Sequence, residues 1–147
     1  MSAPVAVATA VAQAIDDHDL TELTRLHDPH ARISFDPPSR SVGITAWVSI
    51  LAHLMTALPD FAVRTSTLVG DDRMAMVEMT LTGTNTGPIV TDDWERALLG
   101  TDLPTLPPTG RSLEVTGVAV MEIVDEHVVA SRLYLPPGWF YVGLGLV

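Results

Sequence analysis

The feature that most constrains this chain is a change of texture at Phe61. Before it, apolar residues recur at helical spacing: Val5, Ala8, Val11, Ala12 and Ile15 in one run, Leu20, Leu23 and Leu26 in a second, and Ile44, Trp47, Ile50, Leu51, Leu54, Met55 and Leu58 in a third. Asp19, with Glu22 three residues on, has the pattern of a capping box opening the second helix, and Pro59 ends the third. After Phe61 the chain reads as strands, over 61–68, 74–84, 113–124 and 128–135, divided by Gly70-Asp71-Asp72, by a long connection, and by Asp125-Glu126-His127. Helices first and sheet afterwards is the order of an α+β fold.

Length sets the number of such units. The 147 residues fit a single domain over 1–147, and with 47% of them hydrophobic the chain can bury a core and line a cavity as well. Between Gly87 and Arg111 the connection is too long for a hairpin and carries Trp94, Leu98, Leu99, Leu103 and Leu106. It reads either as a short helix folded over the mouth of a pocket or as an extension of the core.

Charge and missing residue types narrow the chemistry. The formal net charge is −10, which repels nucleic-acid phosphates and anionic membrane surfaces, so neither is an expected partner. All eight basic residues are Arg, and the chain has neither Lys nor Cys. Schiff-base lysines, thiolate nucleophiles and thiolate metal sites are therefore excluded. His27 and His30 straddle Asp28-Pro29, and the proline breaks the spacing a metal pair needs, so no metal or other cofactor is expected. The apolar stretch from Ala3 to Ile15 lacks a positive leading segment and runs into Asp16-Asp17, which reads as a buried helix rather than a signal peptide; a cytoplasmic protein is the expectation.

Five short strings occur in order along the chain: Leu58-Pro59-Asp60-Phe61, Gly70-Asp71-Asp72-Arg73, Thr82 to Pro88 (sequence TGTNTGP), Pro107-Pro108-Thr109-Gly110-Arg111 and Leu144-Gly145-Leu146. Together they resemble the signature of the SnoaL-like polyketide cyclases, in the nuclear transport factor 2-like superfamily, over nearly the whole chain. The resemblance implies a cystatin-like cone, a curved antiparallel sheet wrapped around helices with one deep cavity, commonly as a homodimer. It also implies a hydrophobic polyketide-type small molecule as the substrate. The superfamily holds cyclases, ketosteroid isomerases, epoxide hydrolases and binding modules, and fold alone does not choose among them.

The candidate site residues follow from setting this sequence beside that pattern. Phe35-Asp36-Pro37-Pro38 resembles the stretch that carries the general base of ketosteroid isomerases, and a carboxylate at an apolar wall has its pKa raised toward a useful range. Asp36 equally reads as a turn or helix-capping residue. The acid that these cyclases carry on the last strand is replaced by Pro136, and the His of their Gly-Thr-His motif by Asn85. Strand alternation places Asn85 with Met79 and Leu81 on the cavity side, as a polar anchor, with a turn asparagine as the other reading. Arg132 and Tyr134 share the face leading to Pro136, which would bring a guanidinium and a phenol to the cavity, with a solvent-facing Arg132 as the other reading. The face bearing Leu113, Val115, Gly117, Ala119, Met121 and Ile123 holds no acid, which argues against ketosteroid isomerisation.

Substrate contacts are expected from Trp47, Leu51, Met79, Leu81, Trp94, Ala119, Met121, Trp139 and Tyr141. With the usual acid absent, the first reading is closure of a ring by shape and hydrogen bonding, for example a [4+2] cycloaddition. Asp36-assisted closure, epoxide-opening chemistry and a non-catalytic binding module are the alternatives.

Overall fold

The computed structural model describes residues 2–36, 40–92, 96 and 99–147, with the backbone alone at Asp36 and Arg40. Helix α1 (Ala3–Asp16) starts where Ser2 Oγ accepts the Val5 N–H at 3.3 Å, with Pro4 in the first turn, where a missing N–H costs nothing. Its Val7, Ala8, Val11 and Ala14 are buried, and Asp16 Oδ1 at its end accepts the Val63 N–H at 2.9 Å. Helix α2 (Leu20–Arg25) is capped by Asp19, whose Oδ1 accepts the Glu22 N–H at 3.0 Å, as the spacing predicts. Helix α3 (Ile44–Ala57) follows Gly43 and stops at Leu58, the residue before Pro59.

Six strands form one sheet in the order β2-β1-β8-β7-β4-β3, namely β1 (His27–Asp36), β2 (Arg40–Gly43), β3 (Ala62–Gly70), β4 (Met74–Thr84), β7 (Ser112–Val124) and β8 (His127–Tyr134). A small antiparallel ribbon pairs β5 (Ile89–Val90) with β6 (Thr105–Leu106), and α4 (Trp139–Gly143) follows the last strand. The large sheet is antiparallel except between β1 and β8, which run parallel because β1 comes from the helical half and is reached by a long crossover. Strand β1 runs for 10 residues between the second and third helices. It begins at His27, and the Pro29 inside it falls where the pairing shifts between His27 and Arg32, at a bulge that tolerates a residue without an N–H.

Further register shifts, between Thr65 and Thr67 on β3 and between Glu122 and Ile123 opposite β8, bend the sheet so that its concave face holds α1 and α3. Asp125 and Glu126 both have positive φ, 49° and 63°, and close the tight hairpin between Val124 and His127. Gly117 lies under Leu135 and Tyr134: a Cβ there would stand 2.7 Å from the Tyr134 carbonyl oxygen, so only glycine lets the end of β8 close on β7. No helix among the described residues is long and apolar enough to cross a membrane.

Candidate functional site

Inward-facing residues run in rows across the sheet. Ile33, Ser131, Met121 and Ala75 make one row, and Phe35, Leu133, Ala119 and Val77 the next. Together with α1 and α3 these rows, all but Ala75, line a cavity of about 180 Å³. Val11, Ala12 and Ile15 contribute from α1, and Trp47, Ile50, Leu51 and Leu54 from α3. Ile50 lines the cavity and is 41% exposed, which puts it at the mouth, whereas the Ile33–Met121 row is almost wholly buried. Phe35 and Trp47 pack with ring centroids 5.4 Å apart, and Trp139 lines the wall from the C-terminal segment.

Of the residues expected to meet substrate, Trp47, Leu51, Met79, Leu81, Ala119, Met121 and Trp139 line this cavity. Tyr141 is buried but is not part of the lining. Trp94 lies outside the described residues. No described residue between 88 and 110 lines the cavity; Ile89 is buried in the core and its ribbon packs against α3, as expected of a segment that extends the core.

The expected polar groups are placed differently. Arg132 and Tyr134 are exposed on the outer face, where Arg132 Nε donates to the Tyr134 hydroxyl at 3.2 Å. The cause is the register shift in the β7–β8 pair. Val128 faces inward opposite Ile123, but Ala130 already pairs with Glu122, so Val129 is the extra residue and Ser131, Leu133 and Leu135 take the cavity side. One inserted residue exchanges the two faces of a strand.

Asn85 is fully buried but belongs to the scaffold, not to the cavity lining. Its Nδ2 donates to the Ala57 and Gly87 carbonyls, both at 3.0 Å, and its Oδ1 accepts from Thr109 N at 2.8 Å and Thr109 Oγ1 at 2.9 Å. No hydrogen-bonding capacity is left for a ligand. Asp36 pairs through its backbone with Tyr134, and its side chain lies outside the described residues.

Apart from the two indoles, the polar side chains in the described lining are His27 and Ser131, and neither carboxylate nor guanidinium is among them. His27 stands just beyond α2, and its Nδ1 lies 2.8 Å from the Leu23 carbonyl oxygen. A carbonyl can only accept, so Nδ1 carries the proton and Nε2 keeps a lone pair. Burial lowers the imidazole pKa, with the Leu23 hydrogen bond opposing in part, so the ring is neutral at neutral pH. Among the described residues nothing hydrogen-bonds to Nε2 or to the Ser131 hydroxyl. The sequence reading weighed His27 only as half of a metal pair, and no metal-binding group exists among the described residues. Ser131 was hidden by the wrong strand parity; with the parity set, a lone serine in the row Ser131, Leu133, Leu135 is the signal.

A bent sheet closed by helices over an apolar cavity is the nuclear transport factor 2-like architecture. Residues 5–135 match the SnoaL-like polyketide cyclase family, and the chain belongs to it. Among solved structures it is similar to AclR, a candidate hydroxylase from Streptomyces galilaeus, at 18% identity and TM-score 0.75 over 97% of this chain and 80% of that one. IdmH from Streptomyces antibioticus, a candidate polyketide cyclase, aligns at 17% identity and TM-score 0.74, covering 97% and 98%. A candidate SnoaL-like polyketide cyclase from Jannaschia sp. CCS1 aligns at 18% identity and TM-score 0.75, covering 97% and 91%. A comparison with curated proteins gives no match.

Proposed function

We propose that this protein closes a ring on a hydrophobic polyketide-type intermediate by folding it inside the cavity, in a pericyclic closure of the [4+2] type. The supporting observation is the wall itself: among the described lining residues there is no acid and no cation, and the one titratable group is a neutral imidazole. In a [4+2] closure three π bonds become two σ bonds and one π bond, no atom is lost and no proton moves. Such a reaction asks the protein for shape more than for acid or base. Stiff walls of aromatic and branched side chains hold a flexible chain in the compact reactive conformer, so the loss of conformational freedom is met in binding. Membership of the cyclase family supports the same reading. The homodimer implied by the family resemblance is part of the proposal and is checked by sedimentation.

The test is ring closure of a linear polyketide bearing a conjugated diene and an activated alkene, followed with the wild type and with Asp36→Asn. A conformational catalyst tolerates this substitution within roughly tenfold in kcat/KM. A folded, substrate-binding Asp36→Asn protein with no turnover would show a proton-assisted closure instead. Binding of the linear compound by the wild type without product would make the chain a binding module.

A further inference from the structure

Apart from the indoles of Trp47 and Trp139, the described lining of the cavity has two polar atoms without protein partners among the described residues, and they lie on neighbouring strands. His27 opens β1, Ser131 lies in β8, and both are buried, at 5% and 6% exposure. We propose that His27 Nε2 and Ser131 Oγ anchor one neutral hydrogen-bond donor, a hydroxyl, enol or N–H group at the buried end of an otherwise apolar substrate. The inference rests on the reading of this cavity as the substrate site and adds to it the polarity and orientation of what enters.

Three properties carry it. First, the Leu23 carbonyl fixes the His27 proton on Nδ1, so Nε2 can accept a hydrogen bond and cannot give one. A ligand that fills the cavity without offering a donor strips water from Nε2 and leaves it unpaired, which costs about 1–3 kcal/mol, or roughly 5- to 150-fold in affinity. Second, the Ser131 hydroxyl both donates and accepts, so it complements a hydroxyl that is already donating to the imidazole. Third, an anion has no counterpart: the described lining holds no Arg, the imidazole is neutral, and the chain carries −10 overall. A free carboxylate is thus rejected where a neutral hydroxyl or enol is accepted. Ser131 and His27 belong to the buried end and Ile50 to the mouth, so the donor group enters first and the apolar remainder points outward.

The experiment uses three rigid probes that cannot cyclise: 2-naphthol, 2-methoxynaphthalene and 2-naphthoate, titrated calorimetrically near neutral pH. The wild type is expected to bind 2-naphthol at least about fivefold more tightly than its methyl ether, and 2-naphthoate most weakly. His27→Leu should erase the preference for naphthol over the ether. His27→Gln, whose amide oxygen can accept near the Nε2 position, should keep part of it, and Ser131→Ala should reduce it by roughly threefold. A wild type that does not discriminate, a preference that survives in His27→Leu, tightest binding of the naphthoate, or no binding of any probe would each overturn the anchor. Should His27→Leu fail to fold, His27→Gln and Ser131→Ala carry the same decision. Failure of the linear polyketide to cyclise leaves these results standing, and their failure leaves cyclisation standing, so the two readings fall separately.

Discussion

Two buried polar regions of this molecule are built on opposite plans. At the end of β4, Asn85 uses both amide protons and both oxygen lone pairs on Ala57, Gly87 and Thr109, its own N–H donates to the Arg111 carbonyl at 2.8 Å, and the Gly110 N–H reaches its carbonyl at 2.9 Å. Nearby, Asp60 accepts the Thr84 N–H at 2.7 Å, which holds its carboxyl below the usual range. In the cavity, His27 Nε2 and the Ser131 hydroxyl have no protein partner among the described residues. A saturated polar cluster fixes geometry and has nothing to offer a ligand; an unsaturated one that keeps access to the cavity leaves its hydrogen-bonding capacity open to what enters. Four of the five strings that carry the family resemblance, those around Asp60, Asn85, Thr109 and Gly145, fall at the saturated cluster or beside it. The motif series therefore reports the scaffold.

The hardest way to break this contrast is at Asn85. Asn85→Ala removes four side-chain hydrogen bonds at a site with no solvent access, and it should cost on the order of 4 kcal/mol in urea unfolding. Molecules that remain folded should still bind 2-naphthol with the wild-type affinity. A variant of normal stability that has lost ligand binding would show that Asn85 belongs to the site after all.

The reverse substitution is Ala119→Phe, at the middle of the cavity floor between Leu133 and Val77. The ring occupies existing space, so the stability change should stay under about 2 kcal/mol. Turnover of a linear substrate should fall by about a hundredfold or more, since the compact conformer no longer fits. Unchanged turnover would remove the cavity from the mechanism.

The contrast also explains what could be read from the sequence. Apolar periodicity, the Asp19 cap and Pro59 marked the helices, and strand 74–84 coincides with β4, because these signals are local. Of the seven cavity contacts that were anticipated, Met79, Leu81, Ala119 and Met121 lie where strand alternation is uninterrupted, and Trp47 and Leu51 follow the helical spacing of α3. Tyr134 faces outward, and of the two readings of Arg132 the solvent-facing one holds, because one extra residue, Val129, exchanges the faces of β8, and only its partner strand reveals it. Asn85 was misread because alternation does not extend past Thr84, where β4 ends. His27 needed the Leu23 carbonyl, a partner four residues back whose position depends on how α2 ends.

His27 makes a smaller and pH-dependent test. Burial holds its folded-state pKa below the ordinary 6.5, so the unfolded chain takes up the proton first as pH falls. The stability tied to neutral His27 is therefore complete above about pH 6.5 and is lost as pH drops from there through the folded-state pKa. Unfolding free energies of His27→Gln and the wild type, compared between pH 7.5 and 5, should show the wild type losing more than the variant. Parallel curves would mean that burial does not disfavour the charged ring, which would weaken the case for a neutral acceptor in the cavity.

The smallest effect is expected on the outer face. Arg132 and Tyr134 are exposed and are joined only by a 3.2 Å hydrogen bond from guanidinium to phenol, a pairing that solvent replaces readily. Arg132→Ala and Tyr134→Phe should each change stability by no more than about 0.5 kcal/mol and leave turnover within about twofold. Both sit one residue from side chains that do line the cavity, Ser131, Leu133 and Leu135, so the prediction turns on strand parity alone. A large loss of turnover in Arg132→Ala, with normal folding, would mean that β8 presents its other face to the substrate and that the anchor at Ser131 is misplaced with it.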